Sequence, residues 1–448
     1  MIIRYGLLYG IFCVVWHCMS LNTVVAQKKP SGTASLPSPN SSNNTIKIGV
    51  NFVISDPDDL PQLRAARMAV DEINAAGGVL GKTIEIITSY SQTRNYSQIH
   101  ASLQTLISRG ATTVLLTGGS GAVLKAAELT IQKGVLLMAS SASSPHITNL
   151  TDKNLVWRTV PSDVFQGKLA ARLIDSLKYR TVSVIYLNNA YGNELYRAFR
   201  KEFEKRGGKV LSGVKYSDTT TYKSYDFKNK LEMLYRDNPD VIYMISYIED
   251  GREILLQSEK YGFVQGQRGV YQPLFLGCDG NYNPALLKGV RADIVEGMIG
   301  LAYTHPKSSP NYQRFVEAFQ AYSSSSSLPE ELVSSQESVS EATNTFAAAS
   351  YDAVYALAYA MAKAGSTQAS DIAAALRQIS GGTKNAPVVN VQEFTKGLEF
   401  IAQGKNINYE GASGSIDFDM NGDVLSGTYI VWKVVNGKFT ESGTVSFP

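Results

Sequence analysis

Asp71-Glu72-Ile73-Asn74-Ala75-Ala76-Gly77-Gly78-Val79-Leu80-Gly81-Lys82-Thr83-Ile84-Glu85-Ile86 is the stretch on which the fold turns. It is the end of a helix, a glycine turn and an incoming strand. Gly77 falls where an apolar-periodic helix stops, and glycine accepts the left-handed backbone that closes helices. Beyond the turn, Ile84 and Ile86 alternate with polar neighbours at the two-residue period of a strand. Gly81-Lys82-Thr83 imitates the tail of a phosphate-binding loop, G-x-x-x-x-G-K-[ST]. The first glycine of that motif would fall at Ala76, and a phosphate loop runs from strand to helix, whereas this one runs from helix to strand. Nucleotide binding is therefore rejected.

Outward from this turn, strands and helices alternate. A strand is expected over Ile46–Ile54 and a helix over Pro61–Asn74, with Leu63, Ala66, Val70 and Ile73 on one face. Thr113-Val114-Leu115-Leu116 and Val135-Leu136-Leu137-Met138 are short apolar runs of the kind buried in parallel sheets. A second set follows Val160-Pro161, with strands at Val182–Leu187, Lys209–Tyr216, Val241–Ser246 and Leu274–Leu276, and helices at Glu194–Arg206, Phe227–Arg236 and Arg252–Tyr261. Such alternation implies βαβ units with right-handed crossovers. The later chain holds an Ala- and Tyr-rich helix over Thr345–Ala364, a strand over Ser415–Asp419, and Asn421-Gly422 and Asn436-Gly437 turns of the kind that make hairpins.

At 448 residues the chain is too long for one ordinary core, so two domains are the default. Hydrophobic residues at 44%, charged residues at 18% and a net charge of +3 are globular values, and they argue neither for nucleic acid nor for a membrane surface. Arg4 precedes an apolar run from Tyr5 to Trp16, and Val24-Val25-Ala26 places small residues where a signal peptidase cuts. Residues 1–26 are thus expected to be a signal peptide, and the run is short for a membrane span. Trp16 and His17 do not suit a lipidation box, so anchoring through Cys18 is not expected. No later run approaches about 18 apolar residues, and the mature chain is expected to be exported and soluble. Cys278 alone of the three cysteines survives cleavage, so the fold must be held by its core. Residues 27–45, rich in Ser, Pro and Asn, have the composition of a flexible tether, and Ser323 to Ser340 that of a surface loop.

On the 71–86 turn the chain resembles the branched-chain amino-acid (Leu/Ile/Val) binding proteins, the type I periplasmic solute-binding family of ABC transporters. Arg158-Thr159-Val160-Pro161-Ser162-Asp163, Val295-Glu296-Gly297-Met298 and the Gly411–Asp423 segment, with Ile416-Asp417-Phe418-Asp419, resemble the three places where that family's chain passes between lobes. The resemblance spans Ile46 to Val435. It implies an α/β fold of two Rossmann-like lobes joined by a three-segment hinge, with 46–160 and 303–385 in the N-terminal lobe and 161–302 and 386–448 in the C-terminal lobe. It also implies an exported protein that closes around a small ligand and docks, as a monomer, on a permease of the ATP-driven type.

An amino acid is a zwitterion, so its site needs donors for the carboxylate and an acid for the ammonium. Strand-to-helix loops supply donors, because free N–H groups at a helix N-terminus favour anions. Thr117-Gly118-Gly119-Ser120-Gly121-Ala122 and Ala139-Ser140-Ser141-Ala142-Ser143-Ser144-Pro145 have that placement. By resemblance, Ser120 donates its hydroxyl and N–H, while Ser141 and Ser143 hold carboxylate and ammonium. Serines at such places otherwise cap helices. By resemblance again, Asp279 in Gly277-Cys278-Asp279-Gly280 is the ammonium partner, one methylene shorter than the glutamate usual there, and Tyr191 and Tyr247 are lids. Asp279-Gly280 is otherwise a simple turn, and 25 tyrosines make any one near a loop unremarkable. Ser55-Asp56-Pro57-Asp58-Asp59-Leu60-Pro61 departs from the family's Gly-Pro-Leu-Ser/Thr-Gly pattern. Its aspartates are a solvated rim or a preference for a cationic ligand, and they put strict branched-chain specificity in doubt.

Two other classes compete. A sensory ectodomain shares the fold but needs a following membrane segment or a partner, and a separate sensing subunit would meet that need. A serine hydrolase would use Ser120, since Gly118-Gly119-Ser120-Gly121-Ala122 nearly spells G-x-S-x-G. Position 122 is Ala, and His146 and His305 do not fall late in the chain as a hydrolase triad requires. No zinc signature or Cys/His cluster is present, so neither metal nor cofactor is expected.

Overall fold

The structure, a computed structural model, describes residues 44–54, 56, 58–91, 96–218, 222–263, 272–303, 308–325, 345–381 and 385–447. The expected signal peptide, nearly all of the tether, His305 and most of the serine-rich loop lie outside the described residues.

The opening stretch is a hinge of hydrogen bonds between helix and strand. Helix α1 (Asp59–Ala75) ends as Gly78 N–H donates to Ile73 O at 2.9 Å, the bond pattern of a left-handed glycine terminus. Gly78 has φ +75°, and a Cβ there would stand 2.1 Å from Lys82 O, so no other residue fits. Asn74 then pins the incoming strand, its amide pairing with both Ile84 O and Ile84 N–H at 2.8 Å. Strand β2 (Thr83–Ser91) thereby meets β1 (Thr45–Val53) in parallel register, Ile46 against Ile84.

Three more parallel strands complete the first sheet: β3 (Thr113–Leu116), β4 (Leu136–Ala139) and β5 (Val156–Arg158), in the order β2-β1-β3-β4-β5. The two-residue period assigns side chains to two cores. Leu115, Leu136 and Met138 pack with α1 and the long helix Thr345–Ala364. Val114, Leu116, Leu137 and Ala139 pack with α2 (Ile99–Ser108) and α3 (Ser120–Lys133). Both faces are covered, which is why these runs are continuously apolar.

The second sheet repeats that plan. Strands β6 (Thr181–Leu187), β7 (Lys209–Tyr216), β8 (Val241–Ile245), β9 (Leu274–Gly277) and β10 (Ile299–Tyr303) are parallel and ordered β7-β6-β8-β9-β10. After a small parallel pair, β11 (Val388–Asn390) and β12 (Asn408–Glu410), the antiparallel strands β13 (Gly427–Val435) and β14 (Lys438–Phe447) extend the second sheet beyond β10. The turn joining β13 to β14 is the expected Asn436-Gly437, with φ +52° and +69°. Ile185 and Met244 face one core of this lobe, and Val184 and Tyr243 the other.

Three boundaries differ from expectation. The second passage between sheets follows Tyr303 rather than Val295–Met298, because β10 still pairs with β9 and β13. The first lobe reaches past residue 385: Val389, Phe394, Tyr409, Ile416, Phe418 and Val424 all bury into its core, so the third passage lies between Val424 and β13. Ser415–Asp419 is not a strand but a pair of isolated bridges. The Asp419 carboxylate takes the N–H groups of Asn421 and Asp423 at 2.7 and 2.9 Å, a local bonding that competes with a ladder.

Candidate ligand-binding cleft

Both parallel sheets have the strand order 2-1-3-4-5, so each has a switch point beside its first strand, where open α/β sheets bind ligands at the carboxyl ends. The loops after β1, β3 and β4 of the first lobe face those after β6, β8 and β9 of the second. Asp56, Asp58, Asp59, Gln62, Thr117, Gly119, Ser120 and Ser141 form one wall. Tyr191, Tyr247, Asp279 and Gly280 form the other, with Phe346 beside them. The space between is about 430 Å³, counting the part that is open to solvent.

On the first wall, α3 begins at Ser120, leaving the Ser120 and Gly121 N–H groups as donors at the positive helix end. The Ser120 hydroxyl accepts the Ser144 N–H at 3.0 Å, which ties the two serine loops together. Ser141 donates its hydroxyl to Thr117 O. Gln62, fully buried in the first turn of α1, is the hub. Its Nε2 reaches Asp58 O and Asp59 Oδ1 at 3.1 Å, and its Oε1 accepts Ser140 and Ser350 at 2.8 and 3.2 Å. Asp59 takes the Val53 N–H at 2.6 Å, so one of the three expected rim acids is buried and braces the start of α1.

On the second wall, the Asn189 side chain caps the helix Ala190–Lys205 through the Tyr191 and Gly192 N–H groups. That fixes Tyr191, whose hydroxyl donates to Asp279 Oδ1 at 2.6 Å. Its ring stacks on Tyr247, centroids 5.3 Å apart and planes 16° from parallel. Asp279, half-buried, opens a short 3₁₀ turn and gives its N–H to Gln166 at 3.0 Å. Burial raises its carboxyl above the usual range, opposed by the hydrogen bonds it accepts from Tyr191 and Gly280. Burial and the neighbouring Asp279 push the Tyr191 phenol well up, so it stays a donor.

The walls also touch each other. Asn283 donates to Asp58 Oδ1 at 2.8 Å, and His146 meets Glu194 at 3.2 Å. A Cβ on Gly119 would stand 2.6 Å from the Tyr247 hydroxyl.

Of the six residues named from sequence, Ser120, Ser141, Tyr191, Tyr247 and Asp279 share the cleft. Ser143 does not line it. Its carbonyl takes the N–H of the buried Asp163 at 2.8 Å, because the chain turns into the first hinge passage at that point. Sequence reasoning missed Gln62 and Phe346, since neither sits in a strand-to-helix loop. A glutamine three residues after an aspartate at a helix start was the one available signal. Neither described histidine beyond the N-terminus serves Ser120: His100 bonds Lys125 O at 2.8 Å, and His146 pairs with Glu194. Among the described residues no cluster of His, Cys, Asp and Glu could hold a metal ion, and no helix is long and apolar enough to cross a membrane.

Residues 61–437 match the family described as "receptor family ligand binding region". A relative in Pseudomonas aeruginosa, the leucine-, isoleucine-, valine-, threonine- and alanine-binding protein, is 25% identical over 361 residues, covering 79% of this chain and 87% of its own. The fold matches LivJ of Streptococcus pneumoniae, a branched-chain amino acid transporter substrate-binding protein solved with isoleucine, at TM-score 0.69 and 21% identity over 90% of this chain and 99% of that one. It also matches a solute-binding protein of R. palustris solved with 4-hydroxybenzoate, at TM-score 0.68 and 17% identity over 90% of this chain and 97% of that one. The chain belongs to the receptor family ligand-binding region, and its fold is that of the type I periplasmic binding proteins.

Proposed function

From that membership we propose that the protein is an exported solute-binding protein that captures an amino acid, or a similar small amine-bearing solute, between its lobes and delivers it to an ABC-type permease. The observation that carries the reading is the meeting of opposite chemistries across one cleft: helix-start N–H groups and serine hydroxyls on one wall, Asp279 with its tyrosine pair on the other. A carboxylate suits the first and an ammonium the second. A ligand that touches both walls favours the closed form by its differential contacts. The cross-cleft contacts, Asp58 with Asn283 and His146 with Glu194, describe a closed arrangement.

A thermal-shift panel of L-amino acids, small amides and hydroxybenzoates tests this reading. A bound ligand at a hundred times its dissociation constant stabilises by about 2.7 kcal/mol. Asp279→Ala is expected to abolish the shift for amino acids, and an unchanged shift removes Asp279 from the site. Stabilisation by hydroxybenzoates alone would replace the amino-acid reading with an aromatic-acid one.

The family's receptor members favour a second reading, a sensing subunit that closes on the same ligand. Co-purification with a permease or with a signalling partner separates the two. A hydrolase using Ser120 predicts p-nitrophenyl ester turnover that disappears in Ser120→Ala.

A further inference from the structure

Asp163 opens helix α5 (Asp163–Ser176) just beyond the first hinge passage and has no exposed surface. Its Oδ1 accepts from Gln166 Nε2 at 3.4 Å, and its N–H donates to Ser143 O at 2.8 Å. Its Oδ2 has no hydrogen-bond partner among the described residues. The same Gln166 takes the Asp279 N–H on its Oε1 at 3.0 Å. One amide side chain thus joins the acid in the cleft wall to a hidden acid behind it.

The groups facing this pair come from every side. Arg158 is the cation near Asp163, yet its donors are engaged elsewhere. Nε and Nη2 bind Asp423 at 2.7 Å, Nη1 binds Ser144 O at 3.0 Å, and Nη2 also takes Thr148 at 2.8 Å. Glu194 adds a further negative charge. Tyr191, Tyr243, Tyr429 and Cys278 close the shell, and burial keeps all four protonated. A carboxylate wholly out of water with one oxygen lacking a donor is a costly state, and a buried acid avoids it by keeping a proton. Burial and the charge of Asp279 both push Asp163 that way, against the weaker pull of Ser143 and Arg158.

We propose that Asp163 and Asp279 work as one ammonium site, the pair carrying a single proton in the empty cleft and releasing it to solvent when an ammonium arrives. This rests on the amine-capture reading above. Asp279 touches the ligand; Asp163 acts through it and is a positioning residue. The added positive charge makes a second negative charge tolerable, so one proton leaves as one cation is bound. By linkage, affinity then rises with pH, by as much as tenfold per unit where a whole proton is released.

Isothermal titration of L-leucine, L-threonine and L-alanine near pH 6.5, in phosphate and in imidazole, measures the proton count from the difference in heats. Release of between half and one proton is expected, and Asp163→Asn should lose that release while still binding. Heats independent of buffer, or undiminished release in Asp163→Asn, would overturn the pairing. Infrared difference spectra of the wild type need no variant: a protonated-carboxyl band lost on ligand addition supports the proposal, and an unchanged spectrum sinks it. If no amino acid binds, the capture reading falls and this one with it. Binding without proton exchange removes the pairing alone.

Discussion

Gly119 stands where Tyr247 of the second lobe meets the first, and its missing side chain is what lets the Tyr247 hydroxyl settle there. The residue is the cap before α3, with extended backbone at φ −66° and ψ −176° that any residue adopts, so glycine is needed for space rather than for conformation. Gly119→Ala should therefore leave the open form intact and penalise the closed one. Overpacking of this kind costs about 1–3 kcal/mol, which predicts a loss of ligand affinity of roughly fivefold to a hundredfold with unchanged urea stability of the unliganded protein. Equal affinity would mean that Tyr247 moves aside and is no lid. Asp279 and Tyr191 are the opposite case. Their bond joins two residues of one lobe, so the acid is oriented from within its own wall.

At the scale of elements, the loops of the cleft are held by the hinge. Arg158 at the end of β5 is fully buried and makes a two-pronged bond to Asp423 on the returning segment. Its other donors hold the Ala142 and Ser144 carbonyls of the serine loop, and Ser144 in turn gives its N–H to Ser120. Hinge and serine loop are therefore one network. Removing one partner of a buried pair leaves an uncompensated charge and costs about 3–5 kcal/mol. Asp423→Ala should lower stability by that order in urea unfolding and weaken ligand binding as well, while Asp423→Asn, which keeps one acceptor, should lose less. A loss of stability with affinity intact would separate the hinge from the loop.

For the whole molecule, the returning chain is fastened by Asp352 on the long helix. Its carboxylate takes the Tyr409 hydroxyl, the Ala412 and Ser413 N–H groups and the Ser413 hydroxyl at 2.6–2.9 Å. Burial nonetheless raises it to about 6. A carboxyl whose folded value lies above its unfolded one of about 3.9 binds its proton more tightly when folded. Its contribution to stability is complete below about 3.9 and is lost as pH rises through about 6. Denaturation midpoints measured from pH 4 to 8 should show a declining component over that window, and Asp352→Asn should remove it. A variant with the same slope would assign the decline to other groups.

The sequence by itself determined the alternation, the glycine turn and the Asn436-Gly437 hairpin, because each is set by contacts within a few residues, and it marked the parallel runs because strands covered on both faces must be apolar throughout. It also marked the two serine loops, as apolar runs giving way to small or polar residues, while Ser120, Ser141, Tyr191, Tyr247 and Asp279 were picked out within the loops by resemblance to the binding-protein family. Only the tertiary structure decided where the chain passes between lobes. Val389 to Val424 could bury against either sheet, and their pairing with the Thr345–Ala364 helix is a long-range choice that periodicity does not encode. The same holds for Gln62, Ser143 and Asp163. Their places follow from partners 55 to 288 residues away for Gln62, and for the other two from a turn at which two lobes must join.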